Sequence, residues 1–474
     1  MVELERKDIQ GIVVSAYKHL PCATYLLLRI KHAAATRAWI ADRIPEITSS
    51  EGKHPALSTN LAFTHGGLQS LGLKQDALDG FSFPFQQGMD TDYRSRLLGD
   101  TQENDPNGWE WGSAANRVDL LLMVFGKDST VVDAEVLRQQ AALDRGGLTI
   151  VKAFPAGREK GTHEHFGFAD GIGQPVMEGT GNKERQLQRT HHATELPVGE
   201  FLLGHANVYG VIAPGPAVKP EDDPHQLLAV IPADATGLNA EAGMHDLGRN
   251  GSYLVFRQLA QHVAEFWNFL DAASRGPNGT SNPMERERLG AKFVGRWTSG
   301  APLVLSPGQD NPELRSENNF TYYEKDPHGL ACPIGSHVRR ANPRDSLGPD
   351  PQTALDSANR HRILRRGRSY GDRLKNVLVD DGADRGLHFI CLNSDIERQF
   401  EFVQQTWLNN PVFSGLYDEV DPLVGDVAKG DRLFTVQAEP LRCRVQNLGR
   451  FVVVKGGAYF FLPSLRALNY LAKL

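Results

Sequence analysis

The feature that most constrains the fold is an order of secondary-structure elements that occurs twice along the chain. In the first half, alternating and apolar patterns predict strands at 9–17, 23–30, 118–125 and 148–154, with helices at 32–44 and about 130–145. In the second half they predict strands at 251–259 and 387–392, helices at 262–275 and 395–409, and a hairpin of strands 451–454 and 459–462 around a Lys-Gly-Gly turn. A proline-led helix at 463–474 follows. Each half therefore runs strand, helix, long insertion, strand, helix, strand.

This order is that of a split βαβ unit used twice. We therefore predict an α+β protein made of two ferredoxin-like halves, with antiparallel sheets flanked by helices. The predicted domains are 1–215 and 216–474. Two irregular insertions, at 66–111 and 276–385, interrupt the halves. Insertions in matching places are expected to meet at the interface and form a pocket there.

The charge balance and the cysteines exclude several classes of protein. The chain has 51 Lys and Arg against 57 Asp and Glu and no long run of one sign, so nucleic acid is not an expected partner. No apolar run approaches the ~18 residues of a membrane span, and the charged start lacks the layout of a secretory signal. Four dispersed cysteines without a C-x-x-C pair favour a cytoplasmic protein.

The first stretch that suggests chemistry is 166–175. Asp170 stands among glycines at 167, 171 and 173, just after a His-Glu-His triplet at 163–165. Such glycines let the backbone turn tightly and let a flat ligand approach, and a carboxylate on the turn is able to point into a cavity. The alternative is a surface turn, which is what most Asp-Gly pairs form.

Two further stretches are rich in arginine. In 331–344, His337 lies beside small residues and ahead of a basic run, an arrangement suited to a metal or haem iron with arginines meeting an anionic group. A lone histidine more often satisfies a core hydrogen bond. In 360–371, basic and apolar residues alternate, which predicts a strand that directs some arginines inward. An inward Arg365 would suit an oxyanion or a bound peroxide, whereas most arginine clusters form solvated faces.

Taken together and in this order, the three stretches resemble the dye-decolorizing peroxidase family. The resemblance rests on G-x-x-D-G at 167–171, C-P-x-x-x-H-x-R-x-x-N-P-R at 332–344 and H-x-I-L-R-x-G-x-x-Y-G at 361–371. Segments 85–89, 199–204 and 400–407 also resemble sequences of that family, so the resemblance spans essentially the whole chain. The length and the large loops are similar to those of the larger, insertion-bearing branch of that family.

The resemblance implies a haem peroxidase with halves of the dimeric α+β barrel type and haem b held in the C-terminal half, facing the interface. It implies that hydrogen peroxide is reduced through an oxoferryl intermediate, and that bulky aromatic donors such as dyes and phenolics are then oxidised one electron at a time. His337 would be the proximal ligand of the haem iron, with Asp170 and Arg365 on the opposite side. Gly171 and Ile172 would lie against the porphyrin, and Arg339 or else Arg366 would meet a propionate.

Two further roles are expected from the same resemblance. The second ring nitrogen of His337 should donate to an acid, for which Asp395 is the first candidate and Glu397 the second. The alternative for Asp395 is a helix N-cap. Tyr370 corresponds to a tyrosine that carries electrons from surface-bound donors, with ordinary packing as the alternative.

Three other functions compete with this one. The first is haem binding or iron release without significant peroxidase turnover, which would use the same ligand. The second is a non-haem metal site formed by His163, Glu164 and His165, for which no third well-spaced ligand is evident. The third is a purely structural interaction protein. A homo-oligomer is left open, because exposed strand edges in such folds often pair.

Overall fold

The computed structural model describes residues 4–52, 55–157, 163–180, 195–233, 235, 241–426 and 432–474. The strands of its main sheet are β1 (Cys22–Ile30), β2 (Leu57–Phe63), β3 (Leu120–Gly126), β4 (Leu148–Gly157), β10 (Ser252–Gln261), β11 (Leu364–Arg365), β12 (Arg368–Tyr370), β13 (Gly386–Asn393) and β16 (Val452–Leu462). Shorter strands are β5 (Val176–Met177), β6 (Glu195–Leu196), β7 (Ala217–Val218), β8 (Ala229–Val230), β9 (His245–Asp246), β14 (Leu433–Val436) and β15 (Cys443–Gln446).

The main sheet closes on itself into a barrel. Its strand order is β10-β16-β2-β3-β1-β4-β12-β13-β11, and β10 also pairs with β13. Four strands of the first half stand in the order β4-β1-β3-β2, and those of the second half in the order β16-β10-β13-β11/β12. In both, the first strand lies between the fourth and the third, which is the ferredoxin-like order. The two predicted ferredoxin-like halves are thereby confirmed, while the boundary at 215/216 stays a prediction.

Two narrow seams join the halves. At one, Phe461 of β16 pairs with Phe63 of β2. At the other, Ser369 of β12 pairs with Gly157 of β4. The second seam lies close to the stretch that carries Asp170, so residues of both halves meet there.

Helices cover the barrel and fill its insertions. They are α1 (Gly11–Val14), α2 (Ala33–Arg43), α3 (His65–Leu71), α4 (Gln75–Asp79), α5 (Phe83–Gln87), α6 (Asp92–Leu98), α7 (Ser129–Leu143), α8 (Val263–Ala273), α9 (Pro283–Val294), α10 (His337–Ala341), α11 (Pro351–Asn359) and α12 (Leu465–Leu471). Two π-helical segments, Glu397–Glu401 and Val403–Leu408, occupy the region predicted as one helix at 395–409.

The middle of strand β1, residues 25–28, shows why an uninterrupted apolar run forms there. Leu26 and Leu28 pack in the cluster that includes Trp39 of α2, whereas Tyr25 and Leu27 pack in a second cluster on the other face of the sheet. Successive strand side chains point to opposite faces, so a strand buried on both faces needs apolar residues at every position.

Three predictions about local structure are wrong, and one strand was missed. Residues 9–17 do not form a strand but contain the short helix α1, and the strand β2 was not predicted. The insertion at 66–111 is largely helical, with α4 to α6 inside it. The predicted hairpin at 451–462 is one continuous strand, β16. A Cβ on Gly456 would lie 2.5 Å from Nε1 of Trp111, so this glycine allows a close approach rather than a turn.

Among the described residues, no helix is both long and apolar enough to cross a membrane.

Candidate active site

His337 is held by a buried carboxylate. It opens α10, and its Nδ1 lies 2.9 Å from Oδ2 of Asp421, whose side chain is fully buried. The other carboxylate oxygen, Oδ1, accepts from the backbone N–H groups of Leu423 and Val424, each at 2.9 Å. Because both carboxylate oxygens are engaged, Asp421 fixes the orientation of the ring. The structure records no hydrogen bond from Nε2 of His337 to any described residue, so this nitrogen is available to a ligand.

The pair is also coupled electrostatically. Burial lowers the pKa of His337, but the charge and hydrogen bond of Asp421 outweigh it, and the pKa lies above its ordinary value. Burial raises the pKa of Asp421, yet His337 and the backbone donors hold it below the usual range. The charges of Arg365 and Asp170 act on the same imidazole, with opposite signs. Arg365 and Asp170 therefore lie close enough to His337 to influence its charge.

Asp170 and Arg365 face each other. Nη1 of Arg365 lies 3.6 Å from Oδ1 of Asp170. The side chain of Arg365 is 35% exposed and that of Asp170 is 48% exposed. Asp170 Oδ1 also accepts from the backbone N–H of Gly171 at 2.5 Å. An exposed ion pair of this length is weak. Both groups therefore remain open to a small molecule between them.

We call residues 163–174 the aspartate loop. Its end is tied to the strand that carries Arg365, because Nη2 of Arg362 donates to the carbonyl of Gly173 at 2.9 Å. The backbone N–H of Arg365 donates to Oε1 of Gln174 at 3.1 Å. These two contacts hold the end of the aspartate loop beside Arg365, and no sequence pattern predicted them.

A cavity of about 450 Å³ adjoins the loop, lined among others by Asp170, Gly171, Ile172 and Asn318. Gly171 has a φ of +80°, which favours glycine, and it presents no side chain to this space. A second cavity of about 440 Å³ lies at the β4–β12 seam and is lined by His163, Glu164, Asp170 and Tyr370 among others. Asp170 thus stands at the wall between the two cavities.

Several arginines near the loop lack carboxylate partners. Arg296 and Arg344 donate to the same Oδ1 of Asn318, at 2.9 and 2.6 Å. Burial, followed by repulsion from Arg344 and Arg365, lowers the pKa of Arg362 to about 9. No ion pair links Arg296, Arg344 or Arg362 to a carboxylate of the described residues. This cationic region fits an anionic group.

The prediction that Asp395 or Glu397 accepts from the ring of His337 is wrong. Asp395 accepts from the backbone N–H of Arg398 at 3.0 Å and lies 3.4 Å from its guanidinium, so it caps the π-helical segment. Glu397 pairs with Arg94 at 3.1 Å. Asp421 takes the role instead, 84 residues beyond His337. No motif or spacing in the sequence marked it.

Arg339 is not free to bind a propionate. Its Nη1 donates to Asp326 at 3.1 Å and to the carbonyl of Cys332 at 2.8 Å, and its guanidinium lies 4.2 Å from the ring centre of Tyr322. The residue is 2% exposed. Arg366 is engaged as well, because it donates to the carbonyls of Ile12 and Val13. Both guanidinium groups are therefore bonded within the protein and stabilise its fold.

Tyr370 does not lie on the surface. It is 8% exposed, its ring stacks on His388 at 4.5 Å, and its hydroxyl donates to Asp384 at 3.3 Å. Tyr370 forms part of the wall of the seam cavity. A bulky donor is unable to stack on this ring directly.

The site predicted for a non-haem metal is not formed. Across the described ranges, which include 163–165, no group of three or more His, Cys, Asp or Glu side chains is placed to hold a metal ion. His165 Nε2 lies 2.7 Å from the carbonyl of Tyr370, and both oxygens of Glu164 accept from backbone donors.

Comparison with known proteins identifies the family. Residues 9–152 match the DyP dimeric alpha+beta barrel domain. A dye-decolorizing peroxidase of Mycena epipterygia is 30% identical over 492 residues, covering 94% of this chain and 83% of that protein.

Solved structures agree with this match. An ancestral D-type dye-decolorizing peroxidase superposes with a TM-score of 0.76 at 28% identity, covering 98% of this chain and 99% of that one. A dye-decolorizing peroxidase in complex with 2,6-dimethoxyphenol gives 0.77 at 26% identity, covering 99% of this chain and 100% of that one. The chain belongs to the dye-decolorizing peroxidase family, and it is a peroxidase.

Proposed function

We propose that this peroxidase binds haem b between His337 and the Asp170–Arg365 pair, reduces hydrogen peroxide there, and oxidises bulky aromatic donors such as dyes and phenolics. The observation that carries the proposal is the His337 imidazole, fixed by a buried Asp421 and acted on by the charges of Asp170 and Arg365. Four free cysteines support a cytoplasmic location.

The residues present fit a haem. Nε2 of His337 would ligate the iron, because Nδ1 is engaged with Asp421, and the carboxylate would raise the basicity of the ring. Gly171 and Ile172 line the cavity beside Asp170 and would lie against the porphyrin. Arg362 would meet a propionate, since an anion there relieves the repulsion among Arg344, Arg362 and Arg365. When bound, the haem would supply the redox chemistry with peroxide.

The Asp170–Arg365 pair would supply the proton chemistry. Asp170 would accept a proton from one oxygen of hydrogen peroxide and return it to the oxygen that leaves as water. The guanidinium of Arg365 would stabilise the negative charge that develops as the oxygens separate. Their separation of 3.6 Å leaves both groups able to bond the same small molecule.

The donor proposal rests on the relative that was solved with 2,6-dimethoxyphenol, a small aromatic donor. A dye larger than this phenol would react at a distance, with Tyr370 and the stacked His388 as a path for electrons. Tyr370→Phe should then slow the oxidation of an anthraquinone dye several-fold and leave 2,6-dimethoxyphenol oxidation near the wild-type rate. Equal rates for the dye would remove Tyr370 from the path.

The direct test is turnover by the haem-loaded protein with and without peroxide. Peroxide-dependent oxidation of guaiacol or an anthraquinone dye supports the proposal. The competing function, haem binding or iron release, predicts haem loss or free iron with negligible dye oxidation. Absence of any Soret band after haem supplementation would instead favour a structural protein.

A further inference from the structure

Glu164 holds the aspartate loop in shape through an unusual set of bonds. Its Oε1 accepts from the backbone N–H of Phe168 at 2.8 Å, and its Oε2 accepts from that of Phe166, also at 2.8 Å. Oε2 further accepts from Nε2 of Gln261 at 2.7 Å. One side chain thus satisfies two backbone donors of the loop and joins it to β10 of the other half.

The loop is braced against the C-terminal half at each neighbouring residue. The indole of Trp267 donates to the carbonyl of Phe166 at 3.1 Å, and its ring stacks parallel to that of Phe168. The backbone N–H of Ala169 donates to the carbonyl of Thr298 at 3.2 Å. Asp170 follows at once, and among the described residues its carboxylate contacts the backbone N–H of Gly171 and the guanidinium of Arg365. The contacts of residues 164–169 therefore determine the position of Asp170.

The pattern of donors separates two roles for Glu164. Three N–H groups point at its two oxygens, so the site is built for an acceptor and stabilises the carboxylate form. A group that passes protons would need an acceptor for its own O–H, and Glu164 has no recorded acceptor among the described residues. Against these bonds, burial and then the charge of Asp170 raise the pKa of Glu164 to about 7.

We infer that Glu164 is a positioning residue that acts on the peroxide reaction through Asp170, by fixing the loop that aims the Asp170 carboxylate at Arg365. The inference rests on the proposed role of Asp170. It assigns a function to Glu164, the acid of the His-Glu-His triplet. Glu164 lines the seam cavity, whereas Ile172 lines the other cavity.

The first test measures the loop itself. In Glu164→Gln, one oxygen becomes an NH₂ group that cannot accept, so a backbone N–H or Gln261 loses its partner. Hydrogen–deuterium exchange of the peptide spanning 163–170 should become about tenfold faster or more, in haem-free and haem-loaded protein alike. Glu265→Gln, an isosteric change on the exposed face of α8, should leave that peptide unchanged.

The second test measures coupling to Asp170. Glu164→Gln should slow the reaction with hydrogen peroxide, followed by stopped flow, by about tenfold or more, and Asp170→Asn should slow it further. The double variant should be no slower than Asp170→Asn alone, because Glu164 has nothing left to position. A general weakening of the fold would instead multiply the two effects.

Each outcome decides the inference. It is wrong if Glu164→Gln reacts at the wild-type rate, if the two effects multiply, or if exchange of the loop is unchanged. Should Glu164→Gln fail to fold, Gln261→Ala removes one of the three donors and must show the same dependence on Asp170. If Asp170→Asn itself reacts at the wild-type rate, the proposed role of Asp170 fails, and with it any action of Glu164 through Asp170.

Discussion

Nδ1 of His337 lies 2.9 Å from Oδ2 of Asp421, and that carboxylate is fully buried and held by two backbone N–H groups. A buried acid so placed orients the ring and leaves Nε2 without a hydrogen bond to any described residue. This contact distinguishes His337 from a histidine that only satisfies a hydrogen bond in the core, because one particular ring nitrogen, Nδ1, is bonded to a buried acid.

The Asp421 contact predicts the reduction potential of bound haem. Asp421→Asn removes the negative charge that raises the basicity of the imidazole, so the midpoint potential should rise by about 60 mV, a tenfold change in equilibrium. Spectroelectrochemistry measures it. Asp395→Asn is the control, because Asp395 caps a π-helical segment and should leave the potential unchanged. The reverse result would restore Asp395 as the partner.

The distal pair predicts slow reaction with peroxide in two variants that keep the haem. Arg365→Leu removes a fixed positive charge, and Asp170→Asn removes the proton acceptor. Each should lower the second-order rate constant by about 10²-fold or more. Stopped-flow absorbance provides the rate. Wild-type rates in both variants would mean that neither side chain takes part.

Arg362 and Arg339 should respond differently to substitution. Arg362→Ala should weaken haem binding by about tenfold to a hundredfold, because a charged hydrogen bond to a propionate is lost, while the haem-free protein keeps its stability. Arg339→Ala should lower the free energy of unfolding by about 3 kcal/mol or more, because it leaves buried Asp326 without its cation. Haem titration and chemical denaturation of the two variants test this contrast. Equal haem affinity in Arg362→Ala and wild type would refute the propionate contact.

His388 predicts a loss of stability in acid. Burial lowers its pKa to about 3, well below the value of about 6.5 for an unfolded histidine. As the pH falls below about 6.5, the unfolded chain takes up a proton that the folded chain refuses, so stability is present above that pH and declines below it. The slope approaches about 1.4 kcal/mol per pH unit down to about pH 3.

The variant His388→Phe should remove this part of the pH dependence and keep the stack on Tyr370. Denaturation curves between pH 4 and 8 give the difference from wild type, which should grow as the pH falls. A constant difference would show that His388 is not the group responsible. His262→Gln, on a half-exposed side chain, is the control and should leave the slope unchanged.

The sequence predicted what local patterns encode. An uninterrupted apolar run marked β3 because both faces of that strand are buried, and the order of the predicted strands and helices indicated the doubled ferredoxin-like fold. Asp170, His337 and Arg365 were predicted because each lies inside a short stretch with distinctive neighbours. The structure places Asp170 and Arg365 3.6 Å apart, and the catalytic roles of the three residues stay a prediction.

The remainder depended on contacts distant in sequence. Asp421 meets His337 across 84 residues, and nothing near either residue indicates the pairing. The glycines at 456 and 457 suggested a turn, whereas Gly456 is required by the close approach of Trp111. The motif suggested that Arg339 is available to bind an anion, but its guanidinium donates to Asp326 and to the carbonyl of Cys332.

The absorption spectrum of the haem-loaded protein, before and after one equivalent of hydrogen peroxide, tests the central claim most directly when wild type is compared with His337→Ala. We predict one haem per chain in wild type, with a Soret band that shifts on adding peroxide, and loss of the haem or of its normal spectrum in the variant. A Soret spectrum and peroxide response unchanged in His337→Ala would contradict the account.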